Sequence, residues 1–505
     1  MKTLPALAAA AMAAWAMGQP SAFAATPTRL TVKEESISVN GREARILTIR
    51  QSDGTPGLSL QKDGGFRVEV ANALPVPTCI HWHGLVLPNL MDGVPFVTQD
   101  PIPPGGTHVY NFPLLQQGTY WMHSHYGLQE QLQNAAPLVV WTPEEKALAD
   151  IQYVVMLSDF SFTPPDKILA QLRMGMPMKS GMMGGMGSAP ATKLYAQKWD
   201  ALSHRFTRAE VQEPMPDIDV HYDALLANYR TIDRPEALAV KPGQTVLLRL
   251  VAASSATDFY VDTGALDAEL LAVDGQPVKA IRGNYFQLAI AQRLDLRVKI
   301  PAEGGVFPIL FQGEGTRQLA GIVLGTESVV LPDLPKEAAL PAAGLDNEQE
   351  KRFHAAHPLA KKPVDRTCPA VLGGSMHGYV WTINGAAYPN RNSIDVKQGE
   401  RVEIVLANKT SMGHPMHLHG HDFQVVEIDG QKIAGAMRDT VEVPPGSTMK
   451  IAFDANNPGV WAFHCHILYH MATGMFTVVK YEGADTRFWQ PEKTAQELKN
   501  GLPPQ

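Results

Sequence analysis

Short runs rich in Val, Ile, Thr and aromatic residues recur along the chain, each closed off by Pro or Gly. Phe66 to Ala71, Thr245 to Val251, Arg401 to Leu406 and Thr448 to Phe453 are examples, and such runs predict β-strands. Patterns with a helical period are scarce. Pro165 to Leu172 and Thr207 to Val211 are the main short helical candidates, so a parallel sheet wrapped in helices is disfavoured. The pattern predicts an all-β chain of Greek-key sandwiches with short helices in loops.

Three segments begin alike: "VNGREARILTIRQ" near residue 39, "ANYRTIDRPEALAVKPGQTVLLRLV" near 227 and "INGAAYPNRNSIDVKQGERVEIVLA" near 383. In the last two, an Asn, a short turn and a strand lead to "VKPGQTV" or "VKQGERV" and then to a second strand. This is an internal repeat, and it predicts three consecutive related domains. A chain of 505 residues, at about 150 per domain, has room for three. The boundaries are expected at 25–145, 146–332 and 369–485, with an exposed linker over 333–368 and a C-terminal tail over 486–505.

Residues 1–24 read as a signal peptide. Lys2 precedes an apolar run from Leu4 to Met17, and Ala22-Phe23-Ala24 supplies the small-residue cleavage pattern. No twin arginine precedes the run, so general secretion to the periplasm or the medium is expected. No later stretch reaches about 18 apolar residues, so no further membrane span is expected. The formal net charge of −7 gives no long-range attraction for nucleic acid or anionic lipid. Three cysteines, Cys79, Cys368 and Cys465, are too few for a disulfide framework, and a Cys79–Cys368 bridge is the one candidate.

Histidine changes the picture. Seventeen histidines in 505 residues predict about 0.6 His-x-His pairs by chance, and the chain has five. They are His81/His83 in "HWHG", His123/His125 in "HSH", His417/His419 and His419/His421 in "HPMHLHGH", and His464/His466 in "HCH". Residues i and i+2 of a strand share a face, so each pair can present two imidazoles to neighbouring metal ions. Two pairs from the first domain facing two from the third give eight nitrogens, which suits three copper ions with room for oxygen. Cys465 lies between His464 and His466 and must point to the opposite face, toward a different metal. Cys465, His470 and Met475 form Cys-x4-His-x4-Met, and His414 falls on the other parity from His417 and His419. A thiolate, two imidazoles and a thioether make an electron-transfer copper set. An electron arriving at Cys465 then has a short covalent path to His464 and His466.

These four signatures, in this order and over nearly the whole chain after the leader, resemble those of the multicopper oxidases; within the family, the methionine-rich segment 174–186 together with "LSDF", "YRTIDRPE" and "HCHILYHM" is most similar to the copper-resistance branch. The resemblance implies three cupredoxin domains, four copper ions and O2 as electron acceptor. It implies that His414, Cys465, His470 and Met475 hold type 1 copper and that His81 and His417 hold type 2. His83, His123 and His466 would hold one type 3 copper, and His125, His419 and His464 the other. Oxygen reduction consumes protons, and Asp92 in "MDGVP" resembles an acid that assists the cluster in relatives. Some relatives carry a second acid immediately after the type 1 histidine, where this chain has Met471. By analogy a three-domain chain works as a monomer.

Met174, Met176, Met178, Met182, Met183 and Met186 crowd one Gly- and Pro-containing segment, expected to be a surface loop. Thioethers select Cu(I), so the loop suggests oxidation of cuprous ion to Cu(II) in copper tolerance. Two other readings stand beside it: laccase-like oxidation of phenols or aromatic amines, and a copper-binding or sequestering protein. The complete O2-type histidine set speaks against the last, because a carrier needs no O2 site.

Overall fold

The computed structural model describes residues 27–175, 191–326, 332–390 and 393–498. Six sheets make three sandwiches. In domain 1, a four-stranded sheet containing Thr28–Val39 and Phe66–Asn72 faces a second containing Gly118–Ser124 and Ile80–His83. Alternation explains the packing: Phe66, Val68 and Val70 are fully buried. Trp82 meets Phe66 edge-on, with ring centroids 4.7 Å apart. Domain 2 pairs an eight-stranded with a five-stranded sheet, and domain 3 a seven-stranded with a five-stranded one.

The sequence repeat is a repeat of backbone geometry. In each domain the opening strand pairs in parallel with a later one: Thr28–Val39 with Phe66–Asn72, Ile151–Phe160 with Thr245–Ala252, and Arg366–Ser375 with Arg401–Asn408. The repeated asparagines Asn40, Asn228 and Asn384 take left-handed φ values of 50°, 50° and 53°. Asn tolerates this conformation because its short amide can bond locally.

The cores do not divide by domain. One continuous apolar cluster runs through domains 1 and 3 and includes Trp82, Trp121, Trp461 and Phe463. Domain 2 keeps a separate core around Phe259, Phe286 and Phe311. Domains 1 and 3 therefore share one hydrophobic interior, and the histidine signatures lie along it.

Three expectations need correcting. Thr207–Val211 lies within a strand, Arg205–Glu213, that forms an antiparallel hairpin with Thr192–Asp200. Five residues were too few to separate the two periods, and pairing decided. The stretch 333–368 is an exposed linker only over 333–340 and 356–365; its middle is packed, with Ala342, Ala343 and Phe353 buried. Its backbone is tied to Tyr195 of domain 2, whose N–H donates to Pro341 O at 2.8 Å and whose carbonyl accepts from Ala343 N at 2.7 Å. From Arg366 on, it is already the first strand of domain 3. Cys79 and Cys368 form no bridge; both are free thiols, Cys79 buried. The candidate helix at Pro165 is present as Pro165–Arg173. A C-terminal helix, Pro491–Glu497, returns to domain 1, where Gln490 N donates to Phe96 O at 2.8 Å. Among the described residues no helix is long and apolar enough to cross a membrane.

Candidate metal centre

Strand pairing brings the signatures together. His81 stands opposite His123 across the Ile80–His83 and Gly118–Ser124 ladder, and His417 opposite His464 across His414–Leu418 and Val460–Cys465. The second member of three pairs, His125, His419 and His466, lies just past its strand end. There backbone bonds hold it: His125 N to Cys79 O at 3.0 Å, His419 N to Ala462 O at 3.0 Å and His466 N to Pro415 O at 2.7 Å. The two domains then meet ring to ring. His81 stacks on His419 at 3.8 Å, and His83 on His417 at 3.7 Å. All eight imidazoles are at most 2% exposed.

In most of them one ring nitrogen is held by the protein and the other is left bare. Asp92 O accepts from His81 Nδ1 at 2.9 Å, and its Oδ1 lies 3.1 Å from the same nitrogen. Asp92 Oδ2 takes His419 Nδ1 at 3.0 Å. Glu130 Oε2 lies 3.0 Å from His123 Nδ1, and its Oε1 faces His466 Nδ1 at 3.7 Å. Asp439 Oδ1 takes His83 Nε2 at 3.1 Å, and its carbonyl takes His417 Nδ1 at 2.8 Å. Asp92 and Asp439 thus each bond one histidine of domain 1 and one of domain 3, and Glu130 holds His123 of domain 1 while facing His466 of domain 3. Gly93, at φ +83°, makes the Asp92 turn possible: a Cβ there would stand 1.8 Å from Ile80 O.

The nitrogens left over converge. His81 Nε2, His123 Nε2, His417 Nε2, His466 Nε2 and His83 Nδ1 are buried without a hydrogen-bond partner. Ligand atoms of His81, His417 and His419 lie within 4.8 Å of one another, as do those of His125, His419 and His464, and of His81, His83 and His123. Unpaired buried lone pairs are costly unless something accepts them.

The candidate ligands of the second centre all come from domain 3. Cys465 Sγ lies 3.7 Å from both His414 Nδ1 and His470 Nδ1, which are 3.2 Å apart. Met475 is clipped between them by backbone, with Cys465 N donating to Met475 O and Met475 N to His470 O, each at 3.0 Å. Thr410 Oγ1 bonds His414 Nε2 at 2.8 Å, and Asp219 Oδ2 of domain 2 lies 2.9 Å from His470 Nε2. Trp381 stacks on His470 at 3.8 Å.

The electrostatics fit metal ions. Burial, with neighbouring imidazoles adding to it, holds His83, His123, His125, His417, His419 and His466 well below the usual histidine range, and pushes His464 down to about 4. The rings are neutral and keep their lone pairs. Burial pushes the Cys465 thiol well up, so only a cation in place of its proton makes it a thiolate. Clustered imidazoles, a thiol and a thioether are the donor set for copper.

Three family models described as multicopper oxidase match residues 31–145, 153–328 and 362–485. The multicopper oxidase MmcO of Mycobacterium tuberculosis is 31% identical over 494 residues, covering 94% of this chain and 90% of that protein. The chain belongs to the multicopper oxidase family. A copper resistance protein A homologue of Pseudomonas syringae pv. tomato is 27% identical, covering 93% of this chain and 95% of that one. The structure of Fet3p, a multicopper oxidase that functions in iron import, superposes with a TM-score of 0.71 at 21% identity, over 93% of each chain. The fold is therefore three cupredoxin-like domains, and the protein is a copper-dependent oxidoreductase that uses O2.

All twelve candidate ligands fall in the two centres, and Asp92 sits between His81 and His419. Sequence reasoning missed Glu130, Asp439 and Asp219. The signal available for Glu130 was its place five residues past "HSH", and for Asp439 an acid next to Thr440, in register with His417. Of the six clustered methionines only Met174 is described, 60% exposed; Met176, Met178, Met182, Met183 and Met186 lie outside the described residues.

Proposed function

We propose that the chain is an exported, monomeric copper-tolerance oxidase that holds four copper ions and converts Cu(I) to Cu(II), with O2 reduced to water. In this reading His414, Cys465, His470 and Met475 hold type 1 copper, and His81 and His417 type 2. His83, His123 and His466 hold one type 3 copper, and His125, His419 and His464 the other. The bound ions supply one-electron uptake at Cys465 and four-electron reduction of O2 at the histidine cluster. Cys465 joins the two centres covalently through His464 and His466. Burial of the eight rings keeps bulk water from the cluster. Asp92, between His81 and His419, is placed to relay protons inward.

The observation that carries the cuprous reading is the closure of the Cys465 centre. His470 is fully buried under Trp381 and Asp219, which leaves no imidazole edge for a phenol to touch. The helix Pro165–Arg173 buries Ile168, Leu169 and Leu172 in the same apolar cluster as Leu468, Tyr469 and Met471 around His470. It hands the chain on to exposed Met174, the first of the six methionines. Soft thioethers gather a small cation that needs no open aromatic slot.

Oxygen uptake by the copper-loaded protein, with Cu(I) and with a methoxyphenol, tests this in the intact chain and in one lacking residues 174–186. The deletion is expected to slow cuprous turnover at least about tenfold and leave phenol turnover unchanged. Equal cuprous rates would move the laccase-like reading ahead. No uptake with either donor would leave copper binding alone.

A further inference from the structure

Domain 2 supplies none of the twelve ligand residues, yet one of its side chains reaches the cluster. Arg293 opens the strand Arg293–Lys299 and is completely buried. Its guanidinium grips the Asp439 carboxylate with both arms, Nη1 to Oδ1 at 2.8 Å and Nη2 to Oδ2. Its Nε donates to Thr119 O at 3.1 Å, in the domain 1 strand that carries His123. Nη1 also donates to Ala291 O at 3.0 Å and lies 3.7 Å from Asp274 Oδ1. Three domains meet at one planar cation.

We propose that Arg293 is a positioning residue of the copper cluster, acting through Asp439 on His83 and His417. This rests on the copper assignment given above. Asp439 Oδ1, fixed by Arg293 and by Thr440 Oγ1 at 2.8 Å, takes the Nε2–H of His83 and so sets the tautomer that leaves Nδ1 bare. The Asp439 carbonyl does the same for His417, leaving its Nε2 bare. A carboxylate held at both oxygens by a guanidinium cannot swing, and a lysine, as a point charge, cannot reproduce that fork. The glycine of "HWHG" fits the same scheme. Gly84 has φ +87°, and a Cβ there would come within 2.5 Å of Asp439 Oδ2 and 2.6 Å of Arg293 Nη2, so only glycine clears space for the pair.

Arg249 provides the control. It is equally buried in the same domain, pairs with Asp295 Oδ2 at 2.8 Å and bonds Thr119 Oγ1 at 2.8 Å, but touches no residue that holds a cluster histidine. Copper-loaded wild type, Arg293→Lys, Arg293→Gln and Arg249→Lys are compared by copper-to-protein ratio during dialysis against a chelator, by the electron paramagnetic resonance of the type 2 ion and by the blue absorption of the Cys465 centre. Arg293→Lys and Arg293→Gln are expected to lose cluster copper at least about tenfold faster and to alter the type 2 signal, with blue absorption retained. Arg249→Lys, with a comparable loss of buried pairing, keeps the wild-type signal. If neither Arg293 variant folds, Asp439→Asn, which leaves Arg293 its Asp274 and backbone partners, is expected to give the same spectral change. The proposal is overturned if the Arg293 variants, or Asp439→Asn in their place, hold cluster copper as wild type does. It is equally overturned if Arg249→Lys loses as much copper as they do. Wild type without a type 2 signal would sink the copper assignment instead.

Discussion

The Cys465 centre and the eight-histidine centre are equally buried but are built by opposite routes. The ligands of the first come from one domain, and backbone bonds among Cys465, His470 and Met475 hold three of the four. Those of the second come from two domains, and Asp92, Glu130 and Asp439 hold most of them in matched pairs across the interface. A centre built within one domain forms when that domain folds. A centre built between two forms only when they dock, and needs groups that read both sides at once.

Cys465→Ser breaks the comparison most severely. It is expected to abolish blue absorption and cut turnover at least about a hundredfold, while copper analysis still finds the histidine-bound ions. Loss of all bound copper together would mean that the two centres are not independent. Asp92→Asn should lower O2 turnover per fully copper-loaded protein by about a hundredfold, read from steady-state rates at saturating copper; an unchanged rate sinks the relay. Glu130→Gln sharpens the comparison, because an amide offers one acceptor where the carboxylate offers two. Cluster copper affinity should fall about tenfold in competition with a chelator, with the Cys465 centre unmoved.

The last effect is read in degrees. Burial depresses the folded-state pKa of these imidazoles, so an unfolded chain binds more protons below the unperturbed value of 6.5. The part of the copper-free protein's stability that these imidazoles contribute is therefore full above pH 6.5 and is lost as pH drops through the window toward about 4, the value to which burial pushes His464. The melting temperature should decline over that range without copper and much less with it, because bound metal occupies the same lone pairs.

The clustering of the candidate ligands was legible because a metal site imposes spacing, and spacing survives in a sequence. His-x-His in excess of chance located the cluster, and the parity of Cys465 and His414 separated the second centre from it. Glu130, five residues past "HSH", and Asp439, beside the register partner of His417, lie in the same domain as a histidine they serve, but a lone acid there forms no repeated pattern. Asp219 and Arg293 are neighbours of the two centres only through docking, so no local pattern marks them. The fold class was legible for the same reason as the ligands, through a period of two over many strands. Thr207–Val211 failed because five residues cannot distinguish periods. The exposed-linker expectation failed over 342–355 because Pro and charge report irregular backbone, and irregular backbone can still be buried, as Ala342 and Phe353 are.

The hydrogen bond from His83 to Asp439 spans 356 residues. Its two ends meet only when the third domain has folded and docked on the first. Until then the first domain's His-x-His pairs stand without their counterparts. Timing thus becomes part of the chemistry: a copper supply that arrives only after the last domain has docked meets a finished socket, and one that arrives sooner meets half of it.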